Sequence, residues 1–251
     1  MNASRPIVIS PYCREDALLL KRCIASVRAQ TVPASHLLVA DGHPQDWIDS
    51  EPVRHLKLDR AHGDYGNTPR GIAALLAASE GFAPIILLDA DNWLEPQHIE
   101  TCLKAASATP GIDFVVARRH LRRPDGSIMP IPDEPVSEHV DTSCFAFFPG
   151  SYHMLAIWAS MPKQMSSIGD RVFWAALRKR ELSGVVVTGP VTVNYQCVWE
   201  SFYRALGERP PPESKPNIDA SPVFDWWSSL SDREREIATR LAGVPLPDSP
   251  V

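Results

Sequence analysis

The strongest chemical signal in the sequence is a pair of carboxylates at the end of an apolar run. Residues 85–88 are all Ile or Leu, and Asp89 and Asp91 follow them with Ala90 in between. Alternate residues of a strand point to the same side, so both carboxylates can face one ligand. Carboxylate oxygens suit hard divalent cations such as Mg²⁺ and Mn²⁺, which also bind phosphate oxygens. The pattern favours a site for a metal and a phosphorylated ligand, with a solvated acidic turn as the alternative.

The elements that would position this pair are predicted to alternate along residues 1–117. Apolar runs predict strands at residues 7–10, 37–40, 53–58, 85–88 and 113–117. Helical spacing of apolar residues predicts helices at 15–29, 67–79 and 95–107. This alternation is typical of an α/β fold with a parallel sheet between helices. Ligands of such sheets bind at the carboxyl ends of strands, where the acidic turns 41–42 and 89–91 fall.

The second half is less regular. We expect a hairpin over residues 118–131, a strand over 141–148, helices over 152–160 and 169–182, and a strand over 185–195 broken at Gly189-Pro190. Residues 208–251 are rich in proline and are predicted to end in a helix near 232–241. The predicted organisation is a domain over 1–207, in two halves that meet at residues 117 and 118, followed by a C-terminal extension.

Composition and charge exclude several classes of protein. The 251 residues are 44% hydrophobic and 22% charged, which is ordinary for a globular domain. With 25 basic and 30 acidic residues the net charge is -5, which argues against a nucleic-acid partner. No apolar run approaches the ~18 residues of a membrane span, and we expect no signal peptide. The five cysteines form no metal or disulfide pattern, so we expect free thiols and a cytoplasmic location.

Five short segments, taken in order, resemble the inverting family-2 type of GT-A glycosyltransferases. They are residues 8–15 (VISPYCRE), 26–31 (SVRAQT), 39–42 (VADG), 67–72 (NTPRGI) and 89–91 (DAD). Cys13 and Ala40 depart from the usual Asn and Asp of the family. The resemblance implies a GT-A fold, with a mostly parallel sheet flanked by helices and a helical C-terminal extension. It also implies transfer of one sugar from a nucleotide-sugar donor to a hydroxyl acceptor, with inversion, in surface polysaccharide or glycoconjugate synthesis of the bacterial type.

By this resemblance, residues 1–117 bind the donor, which we expect to be a UDP-sugar. Pro11, Tyr12 and Arg14 would lie beside the uracil and ribose. Asp41 would accept hydrogen bonds from the nucleoside. Arg70, near a helix N-terminus, would face the phosphate or nucleoside, with a surface arginine as the alternative.

The resemblance gives the acidic pair distinct roles. Asp91 would bind a divalent metal, Mn²⁺ or Mg²⁺, directly. Asp89 would contact the sugar or ribose, or the metal through water, and Ala90 would line the donor between them. His139 and His153 are candidates for a third metal ligand, but an ordinary surface or core role is favoured for both.

The general base of an inverting transferase is assigned to Asp170. The family keeps an acidic residue at the start of a late helix, and residues 166–174 (SSIGDRVFW) match that context, with Gly169 in place of a first acidic residue. The alternative is that Asp170 only caps the helix, a contact that contributes about 1 kcal/mol. We predict that Asp170 removes the acceptor proton.

Residues 118–207 would form the acceptor side, with Asp141, Thr142 and Trp174 as its weaker candidates. Adjacent tryptophans in the extension, Trp226 and Trp227, are expected to pack back on the domain. A homodimer contact and a lipid-linked acceptor are the alternatives for this pair, the latter at a membrane surface.

Missing motifs narrow the prediction. The chain lacks the Q-x-x-R-W run and the membrane helices of processive synthases, which favours a single-addition enzyme. The acceptor could be a saccharide, a lipid-linked precursor or a small metabolite. Two other functions stay open. A nucleotidyltransferase would need a glycine-rich basic loop after the first strand, where residues 11–14 hold no glycine. An inactive sugar- or nucleotide-binding relic would bind without turnover.

Overall fold

A computed structural model describes residues 5–180, 182 and 185–246. The strands are β1 Ile7–Tyr12, β2 Ser35–Asp41, β3 Arg54–Leu58, β4 Ile85–Leu87, β5 Trp93–Leu94, β6 Phe114–Arg122, β7 Phe145–Phe147 and β8 Val185–Gln196. The α-helices are α1 Ala17–Arg28, α2 Asn67–Ser79, α3 His98–Ala108, α4 Ala156–Ser160, α5 Gly169–Lys179, α6 Glu200–Ala205, α7 Ser221–Ser229 and α8 Asp232–Ala242. Short 3₁₀ helices lie at Asp46–Ser50, Thr142–Cys144, Pro149–Leu155 and Lys163–Ile168.

All eight strands form one sheet, in the order β3-β2-β1-β4-β7-β6-β8-β5. The first four in this order are parallel to one another. Strand β7 is antiparallel to both of its neighbours, and β5 is antiparallel to β8. Six strands therefore run in one direction, which confirms the predicted mostly parallel α/β sheet. The carboxyl ends of β1, β2 and β4 lie side by side at one edge.

The main core continues from the sheet into the C-terminal extension. Its buried residues include Ile7, Phe173, Trp227 and Ala242. Trp227 is only 3% exposed, and Trp226 is half-buried against the same core. The expectation that this tryptophan pair packs back on the domain is confirmed.

Strand β8 is longer than predicted because Gly189-Pro190 does not interrupt it. Its register against β6 shifts on both sides of Arg118, and this irregularity accommodates the two residues. The Thr188 hydroxyl accepts a hydrogen bond from the Arg118 N–H and donates one to the Pro190 carbonyl. Hydrogen bonds of the Thr188 side chain thus replace the bonds between strands at Pro190, which has no N–H to donate.

Three predicted elements differ in extent. The predicted hairpin is mostly the continuation of β6, and the returning chain adds only the bridge from Ile128 to Arg122. The region after Asp141 begins with a 3₁₀ turn, because the Asp141 carboxylate accepts a hydrogen bond from the Ser143 N–H. Helix α3 begins at His98, after the residues that pair with β8.

None of the helices in the described part of the chain has the length and apolar character of a membrane span. All five cysteines are free thiols.

Candidate active site

A cavity of about 940 Å³ opens where β1, β2 and β4 end. It brings together most of the residues singled out in the sequence, from segments far apart in the chain. The cavity is lined by Pro11, Tyr12, Asp41, Arg70, Asp89, Ala90, Asp91, Asp141, Thr142 and Asp170, among others. Two predicted site residues, Arg14 and Trp174, are not among the lining residues.

Arg70 and Asp89 form an ion pair in the wall of the cavity. Arg70 Nη2 donates to Asp89 Oδ1 at 2.7 Å, and Nη1 donates to Asn67 Oδ1 at 3.1 Å. The guanidinium also lies 4.7 Å from the centre of the Trp158 ring. Its side chain is 4% exposed, so Arg70 is not the surface arginine of the alternative interpretation. The pair holds one oxygen of Asp89 in a fixed direction.

Asp91 is the least compensated carboxylate of the cavity. No side chain in the described ranges donates a hydrogen bond to it; Arg22 Nη2 reaches only its backbone carbonyl, at 2.7 Å. Burial, followed by the charges of Asp89 and Glu15, raises the pKa of Asp91 to about 7. A carboxylate among acidic neighbours, with Lys215 as a nearby opposing charge but no side-chain hydrogen bond, suits a cation that arrives with a ligand.

The donor set also limits the kind of metal site. Among the described residues no three His, Cys, Asp or Glu side chains are placed to hold an ion by themselves. Mg²⁺ typically takes one or two carboxylates and completes its shell with water and substrate phosphates. Asp91, with Asp89 beside it, fits an ion shared with a phosphorylated ligand, although the metal itself stays a prediction.

The turn that carries this acidic pair is held by buried residues that the sequence analysis missed. The Ser143 hydroxyl accepts hydrogen bonds from the Asp89 N–H at 3.1 Å and from Asn92 Nδ2 at 2.9 Å. Asn92 Oδ1 accepts from the Gln196 N–H at 2.9 Å. Both Ser143 and Asn92 are fully buried. The only sequence signal was the position of Asn92 directly after the acidic pair, since its partners are 51 and 104 residues away.

Asp41 is buried and is hydrogen-bonded to His62. Both of its oxygens accept from the His62 N–H, at 3.1 and 3.0 Å, and Oδ1 lies 2.6 Å from His62 Nδ1. The next residue, Gly42, has φ +74, and a Cβ there would lie 2.1 Å from the Ala61 N. Asp41 therefore fastens the 59–64 loop beside the cavity, and its contact with a nucleoside stays a prediction.

Tyr12 is fixed by a hydrogen-bond chain behind the cavity wall. Its hydroxyl lies 2.7 Å from His55 Nε2 and accepts from the Gln45 N–H at 3.0 Å. His55 Nδ1 in turn lies 2.7 Å from Asp49 Oδ1. Arg14, by contrast, is exposed outside the cavity lining, with Nε 3.3 Å from His43 Nε2.

Asp170 is held by a histidine 31 residues earlier in the chain. Asp170 Oδ2 lies 2.6 Å from His139 Nε2, and Oδ1 accepts from the Arg171 N–H at 2.8 Å. Burial alone would raise the pKa of Asp170, but these contacts outweigh it and lower the pKa. The carboxylate thus stays ionised at the mouth of α5, where it faces the cavity. Asp170 lies in the first turn of α5 and not at the N-cap, which is Ile168, but its bond to the Arg171 N–H satisfies one free donor of that turn.

Asp141 and Thr142 line the cavity, whereas Trp174 supports the loop beside it. Burial raises the pKa of Asp141, and Arg119, whose Nη1 lies 3.1 Å from Asp141 Oδ2, opposes that shift. Trp174 is 2% exposed, and its indole N–H donates to the Val136 carbonyl at 2.9 Å. The structure therefore puts Trp174 in the core and gives it no acceptor-side surface.

The outer wall of the cavity comes from the end of the chain. Aromatic and aliphatic side chains dominate it, with one lysine whose Nζ lies 5.8 Å from the centre of the Trp199 ring. The wall includes Trp199, Phe202, Lys215, Ile218, Phe224, Val244 and Leu246. No local pattern in the sequence predicts this wall, because its residues are scattered along the chain.

The fold is shared with known proteins. The model for glycosyl transferase family 2 matches residues 7–181. S. aureus TarS 1-349 in complex with UDP-GlcNAc is similar, with a TM-score of 0.63, 11% identity and coverage of 94% of this chain and 71% of that one. The same fragment in complex with UDP is similar with a TM-score of 0.59 and 11% identity, and the match covers 94% of this chain and 70% of that one. A comparison with curated proteins finds no match.

At 11% identity, likeness to a solved structure shows the fold alone. The family match carries more, because it extends over most of the chain and includes both the acidic pair and Asp170. The chain therefore belongs to glycosyl transferase family 2, and it is a glycosyltransferase with the GT-A fold.

Proposed function

We propose that this glycosyltransferase moves a single sugar from a UDP-sugar to a hydroxyl acceptor, with inversion at the anomeric carbon. The observation that carries the proposal is the cavity. There the phosphate-side pair Arg70 and Asp89, the uncompensated Asp91 and the ionised Asp170 surround one space large enough for a nucleotide-sugar. Family membership supports the reaction type, and the similar structures bound to UDP and UDP-GlcNAc support the donor.

The residues divide the work by position. Pro11 and Tyr12 form the wall for the uracil and ribose, and the hydrogen-bond chain behind Tyr12 keeps its ring fixed. Asp91, with Asp89 beside it, would hold a divalent ion such as Mn²⁺ or Mg²⁺. When bound, that ion would offset the charge that develops on the departing diphosphate.

Asp170 acts on the acceptor. Its ionised carboxylate takes the proton of the acceptor hydroxyl as the oxygen attacks the anomeric carbon from the side opposite the diphosphate. The C1–O bond to the acceptor forms while the C1–O bond to UDP breaks, and UDP leaves with the bonding electrons. The proton ends on Asp170, which returns it to solvent.

The outer wall supports a saccharide acceptor. The C–H faces of a sugar ring are apolar and pack well on aromatic rings, and Trp199, Phe202 and Phe224 supply such rings. The aliphatic residues at the end of the chain would instead suit the lipid part of a lipid-linked acceptor. A saccharide of a surface polymer or glycoconjugate is the acceptor we favour, and a homodimer or a cytoplasmic location stays a prediction.

A thermal-shift screen tests the proposal. The purified protein is heated with UDP, GDP, CDP, ADP or dTDP, each with Mn²⁺, Mg²⁺ or EDTA. A ligand that binds only the folded state at a hundredfold excess over its Kd stabilises it by about 2.7 kcal/mol. We expect stabilisation by UDP with metal, lost in EDTA.

Three results would point elsewhere when the screen also includes UTP. Absence of a shift with every nucleotide contradicts donor binding. Binding of UDP without release of UDP from UDP-GlcNAc favours the inactive relic. Stabilisation by a nucleoside triphosphate in place of the diphosphates would favour a nucleotidyltransferase.

A further inference from the structure

His139 has a carboxylate on each side of its ring. Nε2 lies 2.6 Å from Asp170 Oδ2, and Nδ1 contacts Glu134 Oε2. A neutral imidazole carries one N–H, so it would turn an unprotonated nitrogen toward one of these two acceptors. The doubly protonated ring is attracted to both carboxylates, although its contact with Glu134 is an ion pair without hydrogen-bond geometry. The His139 side chain is 8% exposed, which leaves water little access. Two carboxylates against one buried ring therefore favour an imidazolium.

These groups close into a ring of alternating charge. Glu134 Oε1 lies 3.1 Å from Arg171 Nη2, and the backbone N–H of Arg171 donates to Asp170 Oδ1. The side chains in this series carry two negative and two positive charges, in the order Asp170, His139, Glu134 and Arg171. The arrangement is balanced in charge without a bound ion, and His139 is held between the two carboxylates.

We propose that His139 is the positioning residue for the general base: as an imidazolium clamped by Glu134, it fixes Oδ2 of Asp170 so that the carboxylate faces the acceptor. The inference rests on the proposed function, because Asp170 is the base only if the protein transfers a sugar. It goes further in naming the residue on which the orientation of Asp170 depends.

The charges around His139 support this state. Burial by itself would lower the pKa of His139, and so does Arg119, but Asp170 and Glu134 outweigh them and raise the pKa to about 9. Asp141 is the other buried carboxylate near this cluster. In turn, the contact with His139 is the largest influence on Glu134 and lowers its pKa to about 2. The clamp is therefore complete at neutral pH and opens only in alkaline solution.

The consequence for the reaction is geometric. A carboxylate bonded to an imidazolium is a weaker base, so the contact does not help by raising basicity. A general base must first lie within reach of the proton that it removes, and its pKa matters only then. We expect the rate to fall as the pH rises through about 9, because His139 loses a proton and releases one carboxylate.

The test measures UDP release from UDP-GlcNAc, with water as the acceptor, between pH 5 and 10.5. His139→Gln keeps one donor but cannot titrate, and His139→Ala keeps none. We expect kcat to fall roughly tenfold to a hundredfold in His139→Ala, with KM for UDP-GlcNAc unchanged, as for other contacts that orient a reacting group. His139→Gln should recover part of the rate and lose the alkaline limb of the profile. Glu134→Gln should move that limb to lower pH.

His153→Gln is the matched control, since His153 is exposed and lies outside the cavity. NMR titration of the imidazole nitrogens gives a second readout that needs no turnover. The signal absent from His139→Gln should titrate near pH 9, and at lower pH in Glu134→Gln.

A His139 signal that titrates at or below pH 6.5 overturns the clamp. So does a His139→Gln enzyme with the wild-type rate and pH profile. A wild-type protein that releases no UDP at any pH contradicts the proposed function, and the role of His139 falls with it.

Discussion

The guanidinium of Arg70 meets the carboxylate of Asp89 at 2.7 Å, joining the start of α2 to the turn after β4. Because the two residues are 19 positions apart, this part of the cavity wall forms only when both elements are in place. This ion pair is part of the cavity wall and not a surface contact, because the Arg70 side chain is nearly inaccessible to water.

Replacing Arg70 should therefore cost more than replacing an exposed arginine. Arg70→Met keeps the apolar packing on Trp158 but leaves Asp89 and Asn67 without their donor. We expect the free energy of unfolding to fall by about 1.5–3 kcal/mol in urea denaturation, the usual range for a hydrogen bond to a charged group.

Arg54→Met is the control for this variant. It removes a pair with Glu80 in which both side chains are more than a third exposed, worth about 0–1 kcal/mol. Equal losses in the two variants would show that the Arg70 pair contributes no more than a surface contact.

Asp170→Asn tests the general base. The amide keeps the size of the side chain but cannot take a proton, so we expect UDP release from UDP-GlcNAc to slow by about 10²–10⁴-fold. The rise in Tm with UDP and metal should be unchanged, because Asp170 does not hold the donor. Asp225→Asn, at an exposed position on α7, should leave the rate unaltered. A normal rate in Asp170→Asn would remove the residue from the mechanism.

Asp91→Asn should separate stability from binding. The charges of Asp89, Glu15 and Asp141 repel the Asp91 carboxylate and that of Lys215 attracts it, while no side chain of the described residues donates a hydrogen bond to it. Because repulsion and burial dominate, the neutral amide should relieve strain in the protein without ligand. A gain of about 1 kcal/mol would raise the Tm by roughly 2–4 °C for a chain of this size. The same variant should lose the metal-dependent rise in Tm with UDP. A Tm that falls without ligand would show that Asp91 is already compensated.

Ser143→Ala should weaken the acidic turn from a distance. The change leaves the Asp89 N–H and Asn92 Nδ2 without an acceptor, which should lower the free energy of unfolding by about 1–3 kcal/mol. We also expect a smaller rise in Tm with UDP and metal. Ser151→Ala is a matched control, since Ser151 is equally buried but bonds to the carbonyls of Asp113 and Phe148. If both variants bind UDP alike, the Ser143 contact does not position the turn.

Stability should also depend on His139 at alkaline pH. Its pKa is about 9 in the folded protein and about 6.5 in the unfolded chain, so the folded state binds the proton more tightly. The contribution is fully present below pH 6.5 and is lost as the pH rises through about 9. By linkage it is on the order of 3 kcal/mol. Urea unfolding at pH 7 and pH 9.5 should show the loss in the wild type, and His139→Gln should show much less of it.

The donor half of the site was predictable because local patterns carry it. Asp41, Arg70 and the acidic pair each lie at the start or end of an element that apolar spacing reveals. In contrast, the partners that orient them, such as Ser143 for Asp89 and His139 for Asp170, are joined only by the folded topology. No periodicity in a single sequence reports contacts across 31 to 54 residues.

The structure gives a steric reason for Gly169, which stands where the family pattern has an acidic residue. The sequence alone indicated only a missing acidic residue before Asp170. In the structure, a Cβ at this position would lie 2.7 Å from Asn67 Nδ2, and Asn67 accepts a hydrogen bond from Arg70. The space that a larger residue would need at the start of α5 is already filled by the donor side of the cavity.

The aromatic outer wall and the main core are built by the same stretch of chain. Phe224 and Leu246 line the cavity, while Val223, Trp227 and Ala242, from the same stretch, lie in the core. Replacing the whole segment that forms this part of the wall would therefore also remove core residues and destabilise the domain. Under the proposed function, a change of acceptor would have to proceed by single substitutions of exposed side chains, because the buried residues of the same segments fix the backbone.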